Sequence, residues 1–126
     1  MKNLAESLPI YVKIVSGIEE AILSGRLKED SQLPSTTYIS KEYGININTV
    51  NKGVNELVKL GLIYHKRGIG MFVKKGAVKK LVAARRKTFQ ERYVRATLVE
   101  AKRLNYTVDE LQSIVKQAYE ALEDND

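Results

Sequence analysis

Residues 33–73 read LPSTTYISKEYGININTVNKGVNELVKLGLIYHKRGIGMFV, and the polar and glycine positions inside them divide the stretch into two short helices and a hairpin. Ser35 follows Leu33 and Pro34 and is placed to cap a helix by accepting a backbone N–H. That helix is short, because Gly44 follows Tyr38, Ile39 and Tyr43 within a few residues. Asn46 is a second cap candidate, after which Val50, Gly53, Val54 and Leu57 recur at the three- and four-residue spacing of one buried helical face, until Gly61. Two such helices joined through a glycine make a helix-turn-helix. The β-prone runs 62–65 and 71–73 flank Lys66-Arg67-Gly68-Ile69-Gly70, whose glycines tolerate the positive φ of a tight turn, so a hairpin, or wing, is expected here.

Outward from this stretch the pattern stays helical. On the N-terminal side Pro9 suits a first helical turn, Tyr11, Ile14, Ile18, Ala21 and Ile22 mark one buried face, and Gly25 supplies the stop. Residues 26–32 are polar apart from Leu27 and read as a loop. After Lys75 a long helical pattern without proline runs towards Leu104, with Val82, Phe89, Tyr93 and Ala96 as its apolar seam. Thr107 and Glu110 form a capping box, and Val108, Leu111, Val115, Ala118 and Leu122 give a coiled-coil-like seam behind it. The expected fold is mainly α with a small β-hairpin (α+β). A winged helix-turn-helix domain occupies residues 1–75, followed by a two-helix dimerisation segment at 76–126. Two apolar seams on so short a chain need a partner surface. The homodimer is the simpler answer, and packing back onto the N-terminal domain is the alternative.

Composition bounds the function. The 126 residues are 44% hydrophobic and 29% charged, enough to bury a core and too few for a large catalytic fold. With no cysteine, neither disulfides nor thiolate metal sites are available. No run approaches the roughly 18 apolar residues of a membrane span, and the opening MKNLAESLP has no apolar core of a secretory signal, so a cytoplasmic location is expected. The net charge of +6 is uneven: residues 76–106 carry 9 Lys/Arg against 2 Asp/Glu, whereas residues 107–126 carry 1 against 6. A basic body suits a polyanionic partner such as nucleic acid, and also suits a merely solvated surface. Lys79, Lys80, Arg85, Arg86 and Lys87 extend that basic surface, pair with an acidic tail, or form a solvated helix face. His65 stands alone, with no metal-binding companion and no nucleophile–base–acid set, so neither an enzyme nor a cofactor is expected.

Residues 10–73 resemble the DNA-binding domain of the GntR family of bacterial transcription regulators. The resemblance rests on Ile10-Tyr11 with Ile14 and Ile18, Gly25-Arg26-Leu27, Leu33-Pro34-Ser35, Gly44-Ile45, Asn48-Thr49-Val50, Gly61-Leu62-Ile63 and Gly68-Ile69-Gly70-Met71-Phe72-Val73, in order and at the right spacing. About fifty residues follow the wing, where most members carry a larger effector domain, so the chain looks like the short YtrA-like subfamily. That resemblance implies dimerisation by two C-terminal helices and genes beside ABC transporters. It also implies double-stranded DNA as partner. Three family positions depart: Thr37, Ile47 and Asn51 stand where the family usually has arginines.

The outer face of the third helix carries Asn48, Asn51, Lys52 and Asn55. Asparagine pairs bidentately with adenine as arginine does with guanine, so a palindromic operator richer in A·T is expected. The same asparagines also serve as surface caps. Ile47 suits either a thymine methyl or the edge of the core. Ser35, Thr37 and Thr49 offer hydroxyls to phosphates, and Asn46 belongs to the same cluster. At the wing Lys66 and Arg67 bring charge while Gly68 and Gly70 let backbone approach the sugar-phosphate. A repressor is expected, with a small-molecule effector between the C-terminal helices and the winged domain as an open possibility. The rival class is a winged-helix adaptor, or a nucleoid-associated protein without operator specificity.

Overall fold

The computed structural model describes residues 8–122. By its internal contacts the chain divides into two compact units, the division falling between Ala84 and Arg85.

The first unit contains α1 (Ile10–Leu23), α2 (Thr36–Tyr43), α3 (Ile47–Lys59), β1 (Ile63–Lys66), β2 (Gly70–Val73) and most of α4 (Ala77–Thr88). The helix boundaries follow the local chemistry. Ser35 Oγ accepts from the Tyr38 N–H at 3.0 Å to start α2, and Gly44 ends it at φ 64°. Asn46 Oδ1 accepts from the Asn48 N–H at 2.8 Å to start α3. At the far end of α3 Gly61, at φ 75°, donates its N–H to the Val58 carbonyl at 3.0 Å while Leu62 donates to Leu57 at 3.1 Å. These paired bonds satisfy the last carbonyls and turn the chain into β1. β1 and β2 pair antiparallel with Ile63 opposite Val73 and Lys66 opposite Gly70.

Residues 26–32 are less loop-like than their composition suggests. Asp30 donates its N–H to the Val73 carbonyl at 2.8 Å, Val73 donates to Ser31 at 2.9 Å, and Leu33 donates to Met71 at 2.8 Å. Gln32 is thereby bridged to Phe72, and the segment lies along the free side of β2.

The core joins α1 (Val15, Ile22), α2 (Ile39), α3 (Val50, Val54, Leu57) and the hairpin (Ile63, Met71, Val73), with Leu33 and Leu62. The fully buried side chains each contribute roughly 1.5–3 kcal/mol from area removed from water. No polar or charged residue is buried among the described residues. Gly53 sets the approach of α1 to α3: a Cβ there would lie 3.1 Å from Ile14 Cγ2 and 3.2 Å from the Tyr11 carbonyl oxygen. Gly17, inside α1, has no such reason. A Cβ there would meet nothing within 4 Å, although glycine in a helix interior costs about 0.5–1 kcal/mol against alanine.

Ala77 and Leu81 of α4 are buried in this same core. The compact unit therefore extends past residue 75, where the change in sequence character places the boundary. The start of α4 is held by Glu29, whose carboxylate accepts from the Gly76 N–H at 2.9 Å and the Val78 N–H at 3.1 Å. These two bonds, together with nearby Lys75, hold the Glu29 pKa below its ordinary value.

The second unit holds the end of α4, a π-helical turn (Phe89–Val94), α5 (Arg95–Arg103) and α6 (Val108–Ala121). The long helix read from the sequence is thus interrupted by a wider turn. At its exit the Thr97 hydroxyl donates to the Tyr93 carbonyl at 2.7 Å, supplying that oxygen with a partner. Asn105 at φ 61° closes α5. The capping box of α6 is complete: Glu110 donates its N–H to Thr107 Oγ1 at 3.1 Å, and the Thr107 N–H donates to Glu110 Oε1 at 2.9 Å.

Candidate nucleic-acid interface

The inward stripe of α3 (Val50, Gly53, Val54, Leu57) fixes what faces out. Asn48, Asn51, Lys52 and Asn55 are exposed, while Thr49 is half-buried. Ile47 is 38% exposed and lies outside the core cluster. The face offers amide groups, each with a donor and an acceptor, and one cation. Asn46 spends its carbonyl oxygen on the Asn48 N–H.

Lys52 is not a loose cation. Its ammonium sits 4.1 Å from the centroid of the Tyr11 ring, an arrangement in which the electron-rich ring face attracts the charge. Tyr11 belongs to the buried face in the sequence pattern, and here it also steadies a side chain of α3. The wing repeats the device: Lys66 lies 5.0 Å from the Phe72 ring centroid, and Phe72 stacks on Tyr64 at 5.7 Å.

At the start of α2, Ser35 and Thr37 are both exposed. The Ser35 oxygen already accepts the capping N–H, which leaves its O–H to donate outward. In the wing, Arg67 and Gly68 are exposed at the tip, with Gly68 at φ 76°. Gly70 is half-buried at φ 144°, and a Cβ there would lie 2.6 Å from Gln32 Nε2. Gln32 donates that N–H to the Ile69 carbonyl at 3.0 Å. Sequence reading misses Gln32 and Glu29, since each acts on a partner 37 or 47 residues away and no spacing rule marks such bonds.

The second unit exposes much of its apolar seam. Phe89 and Tyr93, whose rings lie 6.3 Å apart, are 57% and 63% exposed. Val115 and Leu122 are 61% and 62% exposed, Ala96 and Ala118 are exposed, and Leu111 is half-buried. Among the described residues of this unit, Ala101 is the buried one. Among the described residues, no helix is long and apolar enough to cross a membrane.

Comparison with known proteins agrees with this architecture. The family described as bacterial regulatory proteins, gntR family, matches residues 10–73. The HTH-type transcriptional repressor YtrA of Bacillus subtilis is 28% identical over 88% of this chain and 85% of its own length. Seven further curated relatives, among them the HTH-type transcriptional repressor NagR of Bacillus subtilis, are longer, and the chain spans 16% to 35% of their length. A crystal structure of a GntR-family transcriptional regulator from Bacteroides thetaiotaomicron superposes with a TM-score of 0.74 at 29% identity, over 89% of this chain and 97% of that one. The DNA-binding domain of AraR in complex with its operator ORE1 is 30% identical, over 52% of this chain and 80% of that one, with a TM-score of 0.51. With residues 10–73, half of its length, matched by the family and 89% of the chain superposing on such a regulator, this chain belongs to the gntR family of bacterial regulatory proteins.

Proposed function

We propose that the protein is a transcriptional repressor that binds a palindromic, A·T-rich operator as a homodimer in the cytoplasm. The observation that carries the reading is the outer face of α3, where Asn48, Asn51 and Asn55 stand exposed beside a tethered Lys52. Exposed amides at this position suit adenine edges in a major groove. Ser35, Thr37, Thr49 and Asn46 then serve phosphates and helix starts, and Lys66, Arg67, Gly68 and Gly70 bring the wing to the adjacent backbone. The operator-bound domain of AraR supports double-stranded DNA as the partner. The exposed seam of Phe89, Tyr93, Ala96, Leu111, Val115, Ala118 and Leu122 supports self-association, which would present two reading heads to two half-sites.

The test is footprinting and fluorescence anisotropy on the DNA upstream of the protein's own gene. A dyad-symmetric footprint is expected, with affinity falling about 10³- to 10⁵-fold between 50 and 200 mM salt if six to ten phosphates are neutralised. Asn48→Ala with Asn51→Ala should cost about 1–3 kcal/mol of base discrimination for each lost bidentate pair. Equal binding to operator and scrambled duplex would replace this reading with a DNA-coating role. No binding to any duplex at low salt would replace it with a protein-binding adaptor.

A further inference from the structure

A cavity of about 630 Å³ opens between α1 and α2 of the first unit, a volume in the range of small-molecule sites. Its walls are aliphatic: Ile14, Ile18, Leu27, Leu33, Ile39 and Ile45. Ile10 and Tyr43, 53% and 69% exposed, stand at its mouth. Lys13 and Arg26 also line it, and no aspartate or glutamate does. The Arg26 Nε–H donates to Ser24 Oγ at 3.2 Å, which orients the guanidinium.

Gly17 is the second observation. It lines the cavity, its backbone is ordinary helix, and a Cβ would meet nothing within 4 Å. Glycine inside a helix is unfavourable and here relieves no crowding. Its effect is to leave the α1 wall of the cavity open.

We propose that this cavity binds a small amphiphilic anion, its apolar body between α1 and α2 and its acidic head at Arg26. Aliphatic walls select the body, and a planar guanidinium pairs bidentately with a carboxylate. The residues assigned to DNA do not line the cavity, so the inference stands whether or not the DNA reading holds. Because Ile39 lies on α2 and Ile45 in the α2–α3 turn, an occupant would touch the joint of the helix-turn-helix.

The test is calorimetric titration of the full chain with octanoate and, as the uncharged control, octan-1-ol. Saturable 1:1 binding of octanoate is expected. Gly17→Leu should fill the cavity and abolish binding of both probes while preserving the circular dichroism spectrum and without lowering the melting temperature, since a better helix former replaces glycine. Arg26→Gln should weaken octanoate about tenfold or more, as loss of a charge-assisted hydrogen bond implies, and leave octan-1-ol within about twofold. Arg26→Gln lies outside the core, so it keeps the test decisive if Gly17→Leu misfolds. Absence of saturable binding, equal loss of both probes in Arg26→Gln, or unchanged binding in a folded Gly17→Leu would each overturn the proposal. A Gly17→Leu protein with an altered oligomeric state would also overturn it, assigning the groove to a second copy of the chain.

Discussion

Gln32 donates its side-chain N–H to the carbonyl oxygen of Ile69 at 3.0 Å, so a residue before the first helix of the helix-turn-helix holds the tip of the wing. The bond passes directly over Gly70, where a side chain would meet the amide nitrogen.

Gly70→Ala should therefore destabilise the protein by about 1–3 kcal/mol, the cost of an L-residue held in a glycine-only backbone region. Gln32→Ala alone should cost about 0.5–1.5 kcal/mol, the net worth of a hydrogen bond. The double variant should recover only part of the sum, since the amide is flexible and the φ strain remains. Urea midpoints at constant m-value check this, and a neutral Gly70→Ala would refute the geometry.

Gly53→Ala tests the contact of α1 with α3. Helix propensity favours alanine by up to about 1 kcal/mol. Crowding against the Tyr11 carbonyl, which is backbone and cannot swing aside, costs about 1–3 kcal/mol. Crowding wins, and a lower melting temperature is expected.

Glu29 predicts a pH dependence whose sign is fixed. Its folded pKa is lowered because the ionised carboxylate accepts two backbone N–H bonds. The stabilisation is then fully present above the unfolded-state value and is lost as pH falls through the lower folded value. The melting temperature of Glu29→Gln should lie below wild type at pH 7, and the gap should close under acid conditions below the usual carboxylate range. A gap that persists unchanged there would show that the carboxylate charge is not what holds α4.

Val115→Glu places a charge in the exposed seam of α6. If the seam is the proposed dimer interface, light scattering should report a dimer for the unaltered chain and a monomer for the variant, with unchanged helix content. A dimer that survives this change and Tyr93→Glu together would move the interface elsewhere.

The parts of the fold legible in the sequence are those set by local chemistry. Ser35, Asn46 and the Thr107–Glu110 pair declare helix starts because each acts on an N–H two or three residues away. Val50, Val54 and Leu57 declare the inner face of α3 by period, and Asn48 and Asn51 follow by subtraction. The π-helical turn at Phe89–Val94 changes that period without any proline or glycine to announce it. Ala77 and Leu81 join the winged core although the surrounding lysines and arginines read as an independent solvated helix. The bonds of Glu29 and Gln32, and the seat of Lys52 on Tyr11, are tertiary: they depend on which elements become neighbours, and composition does not encode that.

The strand-like pairing of residues 30–33 with β2 also bears on aggregation. Unpaired strand edges rich in apolar residues template association between chains. Met71-Phe72-Val73 is the most apolar strand here, and it lies between β1 on one side and residues 30–33 on the other. Changes that loosen the 30–33 segment should thus be read first in shelf life and particle formation at high protein concentration, before any loss of helix content.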